Sequence, residues 1–288
     1  MNTLNVILKW VKELDKKHCF ALIGFLVISA GLLVCISQAT AGVNGKEPAQ
    51  LNGVFRFAYP PVKSPGPAAL RQSFMADKAL ENVTAGLNSL IAVPADITIA
   101  FTECGVINAF YEPSARRVNM CYELIEHFAQ LFLPYAKSEE ALGKAVEDAL
   151  NFVFFHELGH ALSNVLDLPI TGKEEDAVDQ LSTFLLAEGD DDNEASALNG
   201  AYWFLLEAQQ RGPIVKRLFA DEHSLDQQRY FNVICWLYGQ NQQGYQFVVN
   251  SGMLPADRAE RCPNEYAKIA KSWRALLGPY IKNSLGRK

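Results

Sequence analysis

The sequence predicts an α+β fold, with a small sheet first and a mainly helical body after it. Three observations carry this. Apolar residues alternate with period two only before Tyr122, and helical periodicity dominates the rest of the chain. The composition, 49% hydrophobic and 20% charged over 288 residues, supplies enough apolar material for a sizeable core and is not that of a disordered chain.

The first forty residues stand apart. Lys9, Lys12, Lys16 and Lys17 precede an uninterrupted apolar run over 19–36, and Ala39-Thr40-Ala41 has the small-x-small pattern of a cleavage site. Residues 1–41 read as a secretory signal cut near Gly42, with 42–288 as one mature domain in the periplasm or outside the cell. The run approaches the length of a bilayer span, so an uncleaved inner-membrane anchor carrying the domain outside the cytoplasm is the alternative. Cleavage leaves 22 cationic against 30 anionic side chains, a net charge of −8. That balance argues against nucleic acid as a partner, and against membrane contact unless the leader is retained.

An exported chain meets an oxidising compartment, where Cys104, Cys121, Cys235 and Cys262 form an even set suited to two disulfides. Three pairings are available. Cys104 with Cys121 and Cys235 with Cys262 is preferred, because each closes a loop within one stretch of chain. No two of the four stand at Cys-x-x-Cys spacing, which disfavours a thiolate metal site.

Along the mature chain, alternation predicts a strand over 54–59, ended by Pro60-Pro61. Pro65-Gly66-Pro67 reads as a loop. Leu70, Phe74, Leu80, Val83, Leu87 and Leu90 recur at helical spacing in one helix that Pro94 closes. Strands follow over 97–101, 109–111 and 117–120, the last two flanking a turn at Glu112-Pro113-Ser114. The 117–120 strand is a candidate edge for an extended peptide, with coverage by neighbouring chain as the alternative. Helices are expected over 123–133, 139–165, 176–186, 193–210, 225–238 and 264–277.

The second long helix carries His156-Glu157-Leu158-Gly159-His160. Positions four apart stack on one helix face, so His156 and His160 present two imidazoles to one point, as tetrahedral Zn2+ requires, and Glu157 sits beside that point. Zinc makes hydroxide accessible near neutral pH, and a neighbouring glutamate is placed to serve as catalytic base. A catalytic zinc takes a third protein ligand. The turn 168–172 is followed by Glu174, Glu175, Asp176 and Asp179, and Glu175 and Asp179 form with Ser182 a polar stripe through an apolar helix. Carboxylates embedded in apolar surface need a partner. Glu175 is the expected third ligand, Asp179 the group holding a histidine's other ring nitrogen, and Glu174 and Asp176 face solvent; the alternative is that all four acids only occupy a helix start, where negative charge is favourable.

With these residues the chain resembles the gluzincin metallopeptidases, whose first two ligands come from His-Glu-x-x-His and whose third is a glutamate on a later helix. More closely, it is similar to a bacterial metallopeptidase family of unassigned function. The matching stretches are Asn108-Ala109-Phe110-Tyr111, Cys121-Tyr122-Glu123-Leu124, residues 156–161, Glu174-Glu175-Asp176-Ala177-Val178-Asp179-Gln180 and Asp221-Glu222-His223-Ser224-Leu225-Asp226. The resemblance spans about Phe55 to Tyr266. It implies a zincin-like fold, with a small mixed sheet over the active-site helix, a mainly helical lower half and a peptide cleft between them. It does not supply a particular substrate. The motif's chemistry leads to the expectation of a peptide or protein substrate cleaved by zinc-activated water; the competing reading is an inactive zinc-containing scaffold of the cell envelope. The chain lacks the His-x-x-Gly-x-x-His extension of metzincins, in keeping with a carboxylate ligand, although the interval from His160 to Glu175 is short for a gluzincin.

His223 lies in a polar stretch just before a helix. Positioned by Asp221 it would stabilise an oxyanion in the cleft, with Arg229 and Tyr230 as weaker candidates for that task. The same stretch also reads as a helix cap, with Ser224 at the N-cap and Gln227 three residues on. His127, beside Glu126, reads as a surface histidine.

Overall fold

The computed structural model describes residues 51–189 and 191–282, so the leader read over 1–41 lies outside them. Four strands form one mixed sheet: β1 (Phe55–Ala58), β2 (Ile97–Thr102), β3 (Ala109–Glu112) and β4 (Arg117–Cys121), in the order β1-β2-β4-β3. β2 runs parallel to β1 (Phe55↔Ile97) and to β4 (Thr98↔Arg117), and β3 returns antiparallel to β4 (Phe110↔Asn119). β4 is thus an inner strand. The edge expected over 117–120 belongs instead to β3, because β2 takes the far side of β4.

Between β1 and β2 the expected single helix is two, α1 (Pro65–Ala76) and α2 (Ala79–Leu90). Pro65-Gly66-Pro67, expected as a loop, opens α1, since the first helical turn has no use for the proline N–H. The break falls at Lys78, which adopts a left-handed conformation with φ 53°. The Tyr59 hydroxyl accepts the Leu80 N–H at 3.0 Å, satisfying one of the unpaired amides at the start of α2.

After α3 (Tyr122–Phe132) comes the central element, α4 (Glu139–Val165). The Ser138 hydroxyl accepts the Ala141 N–H at 3.1 Å and Glu139 and Glu140 occupy the first turn, both favourable at a helix start. Its later half is buried nearly all round, covered by β3 and β4 on one side and by α5 (Glu174–Ala187) and α6 (Asp191–Gln210) on the other. The remaining elements are a 3-10 turn (Lys216–Phe219), α7 (Asp226–Gln240), the short α8 (Gln246–Asn250) and α9 (Ala256–Ala259), and α10 (Cys262–Leu277). This is the α+β organisation expected, a small mixed sheet over a helix followed by a helical half. Among the described residues no helix is long and apolar enough to cross a membrane.

Two disulfides staple it. Cys104–Cys121 fastens the chain leaving β2 to the end of β4, and Cys235–Cys262 joins α7 to α10. Such bonds belong to an oxidising compartment.

α4 and α5 approach closely at Gly159, where an added Cβ would lie 2.9 Å from Val178 Cγ1 and 3.0 Å from its Cβ. Valine is short and stiff, so the helices themselves must separate. Gly159→Ala is expected to destabilise by about 1–3 kcal/mol in urea titration. Because α5 carries the carboxylate that faces His156 and His160, the same change should weaken metal retention in a chelator competition.

Candidate metal centre

His156 and His160 stand on one face of α4 with ring centroids 5.0 Å apart. The first turn of α5 brings Glu175 across to both: its Oε2 lies 3.1 Å from His156 Nε2 and its Oε1 3.4 Å from His160 Nε2. One turn further along α5, Asp179 accepts from His156 Nδ1 at 2.8 Å. Glu174 accepts from His160 Nδ1, also at 2.8 Å. Both imidazoles therefore have Nδ1 committed to a carboxylate, which leaves both Nε2 atoms turned toward Glu175.

That donor set fits a metal ion. One ligand atom from each of His156, His160 and Glu175 can be chosen so that all lie within 4.8 Å of one another, and the site is mostly screened from water. Burial works to raise the Glu175 carboxyl, but hydrogen bonds from His156, His160 and His223 overcome it and hold the group far below the usual carboxylate range. Cys104, Cys121 and Glu123 also cluster, but both sulfurs are spent in a disulfide and Glu123 accepts the backbone N–H of Cys104 and of Gly105.

A second layer holds the first. Arg229, on α7, donates from Nε to Asp179 Oδ2 and from Nη2 to Asp179 Oδ1, each at 2.7 Å. Both residues are buried, and the guanidinium carbon lies 4.0 Å from the centre of the Phe204 ring. Burial alone would raise Asp179, but the Arg229 charge and its hydrogen bonds, aided by His156, bring it well below its ordinary value. Arg229, a weak oxyanion candidate in the sequence, is engaged here with Asp179.

Glu157, one position beyond His156, is buried yet lines both cavities that border the imidazole pair, close enough to Glu175 for the two carboxylates to interact. Burial pushes its carboxyl up, against the neighbouring His156 and His160 charges, and the backbone N–H of Tyr111 on β3 is directed at it. His223 reaches Glu175 Oε2 with its Nε2 at 3.0 Å, while its Nδ1 lies 3.1 Å from Asp221 Oδ1.

Several neighbours differ from expectation. Glu174 and Asp176 do not simply face solvent: Glu174 holds His160, and Asp176 accepts from the Ser224 hydroxyl at 2.7 Å. Ser224 is accordingly not the cap of α7; Leu225 occupies the N-cap position, and the Gln228 side chain accepts its N–H at 3.1 Å. His127 is no ordinary surface histidine, because it pairs with Glu207 on α6 beside the site.

Two cavities, of about 360 Å³ and about 630 Å³, flank the centre. His156, Glu157 and His223 line both, and Ala109 of β3 borders both, so the edge strand runs beside the pair. No curated protein and no solved structure matches the chain. Residues 59–277 match the model of a family described as "Putative metallopeptidase", a family that implies a bound metal and a peptide or protein substrate, and the chain belongs to that family.

Proposed function

We propose that the chain is an exported zinc-dependent peptidase that cleaves peptide bonds with water. The observation that supports this most is the convergence of His156 Nε2, His160 Nε2 and the Glu175 carboxylate, with buried Glu157 beside them at the junction of two cavities. Two imidazoles and one carboxylate are a donor set that catalytic zinc favours. Zinc, when bound, supplies Lewis acidity that eases deprotonation of water and polarises the scissile carbonyl.

Glu157 accepts the proton of the attacking water and passes it to the leaving amine. Its raised carboxyl suits both tasks, since a base that must later act as an acid works best with a pKa close to the working pH. His223, steadied at Nδ1 by Asp221, donates from Nε2 to the developing oxyanion. Asp179 fixes the His156 ring, and Arg229 fixes Asp179. An extended peptide adds to the free edge of β3. The two disulfides support a periplasmic or secreted domain, and residues 1–41 are removed near Gly42.

The test is metal analysis together with cleavage of a peptide library. About one zinc per chain is expected, with cleavage lost on chelation and regained on adding zinc. A folded chain that takes up no ion sinks the reading.

Zinc uptake carries a proton signature. In the metal-free chain burial lowers the tendency of His156 to protonate, but hydrogen bonds with Asp179 and Glu175 outweigh it and raise the group to about 9. That protonated pair adds stability fully present below the unfolded histidine value of about 6.5 and lost as pH rises through about 9. The ring must be neutral to bind zinc. At pH 7 uptake should therefore release about one proton or more per ion, and affinity should climb with pH until about 9. Calorimetry in buffers of different ionisation enthalpy measures the release.

A further inference from the structure

The larger cavity, of about 630 Å³, extends from the metal centre past the C-terminal end of α4. Away from the three histidines at the metal centre its charge is one-sided. Asp167, Glu174 and Glu222 line it in addition to Glu157 and Glu175, and among the described residues no lysine or arginine does. Glu174 is occupied by His160, but Asp167 and Glu222 are exposed. Lys173, close by in sequence, is turned to the Asp221 carbonyl, 3.2 Å from its Nζ.

A second, independent feature sits in the same cavity. Ser163 lines it, is 6% exposed, and its hydroxyl has no hydrogen-bond partner among the described residues. A buried hydroxyl without a partner is costly unless something else supplies the bond. The end of α4 adds the negative pole of a helix, which favours a cation.

We propose that this cavity is a subsite for a basic side chain, lysine or arginine, of the substrate, with Asp167 as its charged partner and Ser163 as a hydrogen-bond acceptor within. The proposal rests on the peptidase reading and names its substrate class. Ser163 lies about 5 Å beyond His160 along the helix axis, and Asp167 follows two residues after the last of α4, a placement that a long basic side chain next to the scissile bond can span. The smaller cavity offers no such asymmetry. There Glu207 is paired with His127, and Asp226 with Arg211 at 2.6 Å.

The experiment compares zinc-loaded wild type with Asp167→Asn, Ser163→Ala and, as a distant control, Glu139→Gln. Asp167 has φ 51°, a left-handed conformation that asparagine also tolerates, so the first variant keeps its fold. Mass spectrometry of a cleaved peptide library should show lysine and arginine enriched at one position beside the cut. The preference for a lysine peptide over its norleucine counterpart, read as a ratio of kcat/KM, should fall about tenfold in Asp167→Asn. It should fall less in Ser163→Ala, whose Tm should not drop, and not at all in Glu139→Gln.

Cleavage without a basic preference, or a preference that survives both cavity variants, overturns the proposal and leaves the peptidase reading standing. If zinc-loaded wild type cleaves nothing, the peptidase reading fails. Fluorescence anisotropy of labelled lysine and glutamate peptides on zinc-loaded Glu157→Gln then decides for the cavity: tighter binding of the lysine peptide supports it, and equal binding overturns it.

Discussion

Glu157→Gln is expected to lower kcat for peptide cleavage about a hundred- to ten-thousand-fold, the usual contribution of a positioned general base, while zinc content stays at its wild-type value. The two effects separate because Glu157 is not among the converging donors, which are His156, His160 and Glu175. Glutamine keeps the shape of the side chain and can still accept a hydrogen bond from Tyr111, but it cannot take a proton from water. Stability should move the other way. Burial raises the Glu157 carboxyl, so in the metal-free chain its ionised form costs stability once pH exceeds the unfolded glutamate value of about 4.3, and increasingly so up to its folded value. The neutral variant avoids that cost, and its metal-free Tm at neutral pH should equal or exceed that of wild type. An enzyme whose turnover survives this substitution does not use Glu157 as its base.

What was legible in the sequence followed short-range geometry. The bounds of α4 coincide with the predicted 139–165 because Ser138 caps it and its later half is buried nearly all round. The facing of His156 and His160 follows from four-residue spacing alone, and Glu175 and Asp179 were visible as polar residues at helical interval within an otherwise apolar segment. The break between α1 and α2 was not visible, because it depends on one left-handed residue, Lys78, and on a tyrosine hydroxyl about twenty positions away.

Long-range partners account for the remaining differences. Arg229 meets Asp179 across 50 positions and His127 meets Glu207 across 80, intervals with no helical or strand periodicity to reveal them. A histidine next to a glutamate on an amphipathic helix looks alike whether it faces water or a cleft. The edge position of β3 was equally hidden. Alternation marks a strand but does not order it, and β2 had to pair in parallel with β4 before that edge was left to β3.

Arg229→Met should destabilise the metal-free chain by about 3–5 kcal/mol, the range for removing one member of a buried ion pair. Asp179 and Arg229 are 2% and 8% exposed, so methionine would leave a carboxylate desolvated with only His156 to answer it. The sign is checked by pH. A folded carboxyl held below its ordinary value contributes stability above the unfolded aspartate value of about 3.9, lost as pH falls through the folded one. Wild type should show that acid loss, and Arg229→Met should show much less of it, because the carboxyl no longer has its guanidinium. Adding Asp179→Asn should recover part of the stability, since the double variant buries no unpaired charge. Zinc affinity responds differently. Asp179 orients His156 through Nδ1, and loosening such a support costs about 10–100-fold in metal affinity. The double variant should therefore regain stability without regaining zinc affinity, which chemical denaturation and chelator competition measure separately. Recovery of both together would mean that the Arg229–Asp179 pair serves the fold alone and has no part in setting the metal ligand.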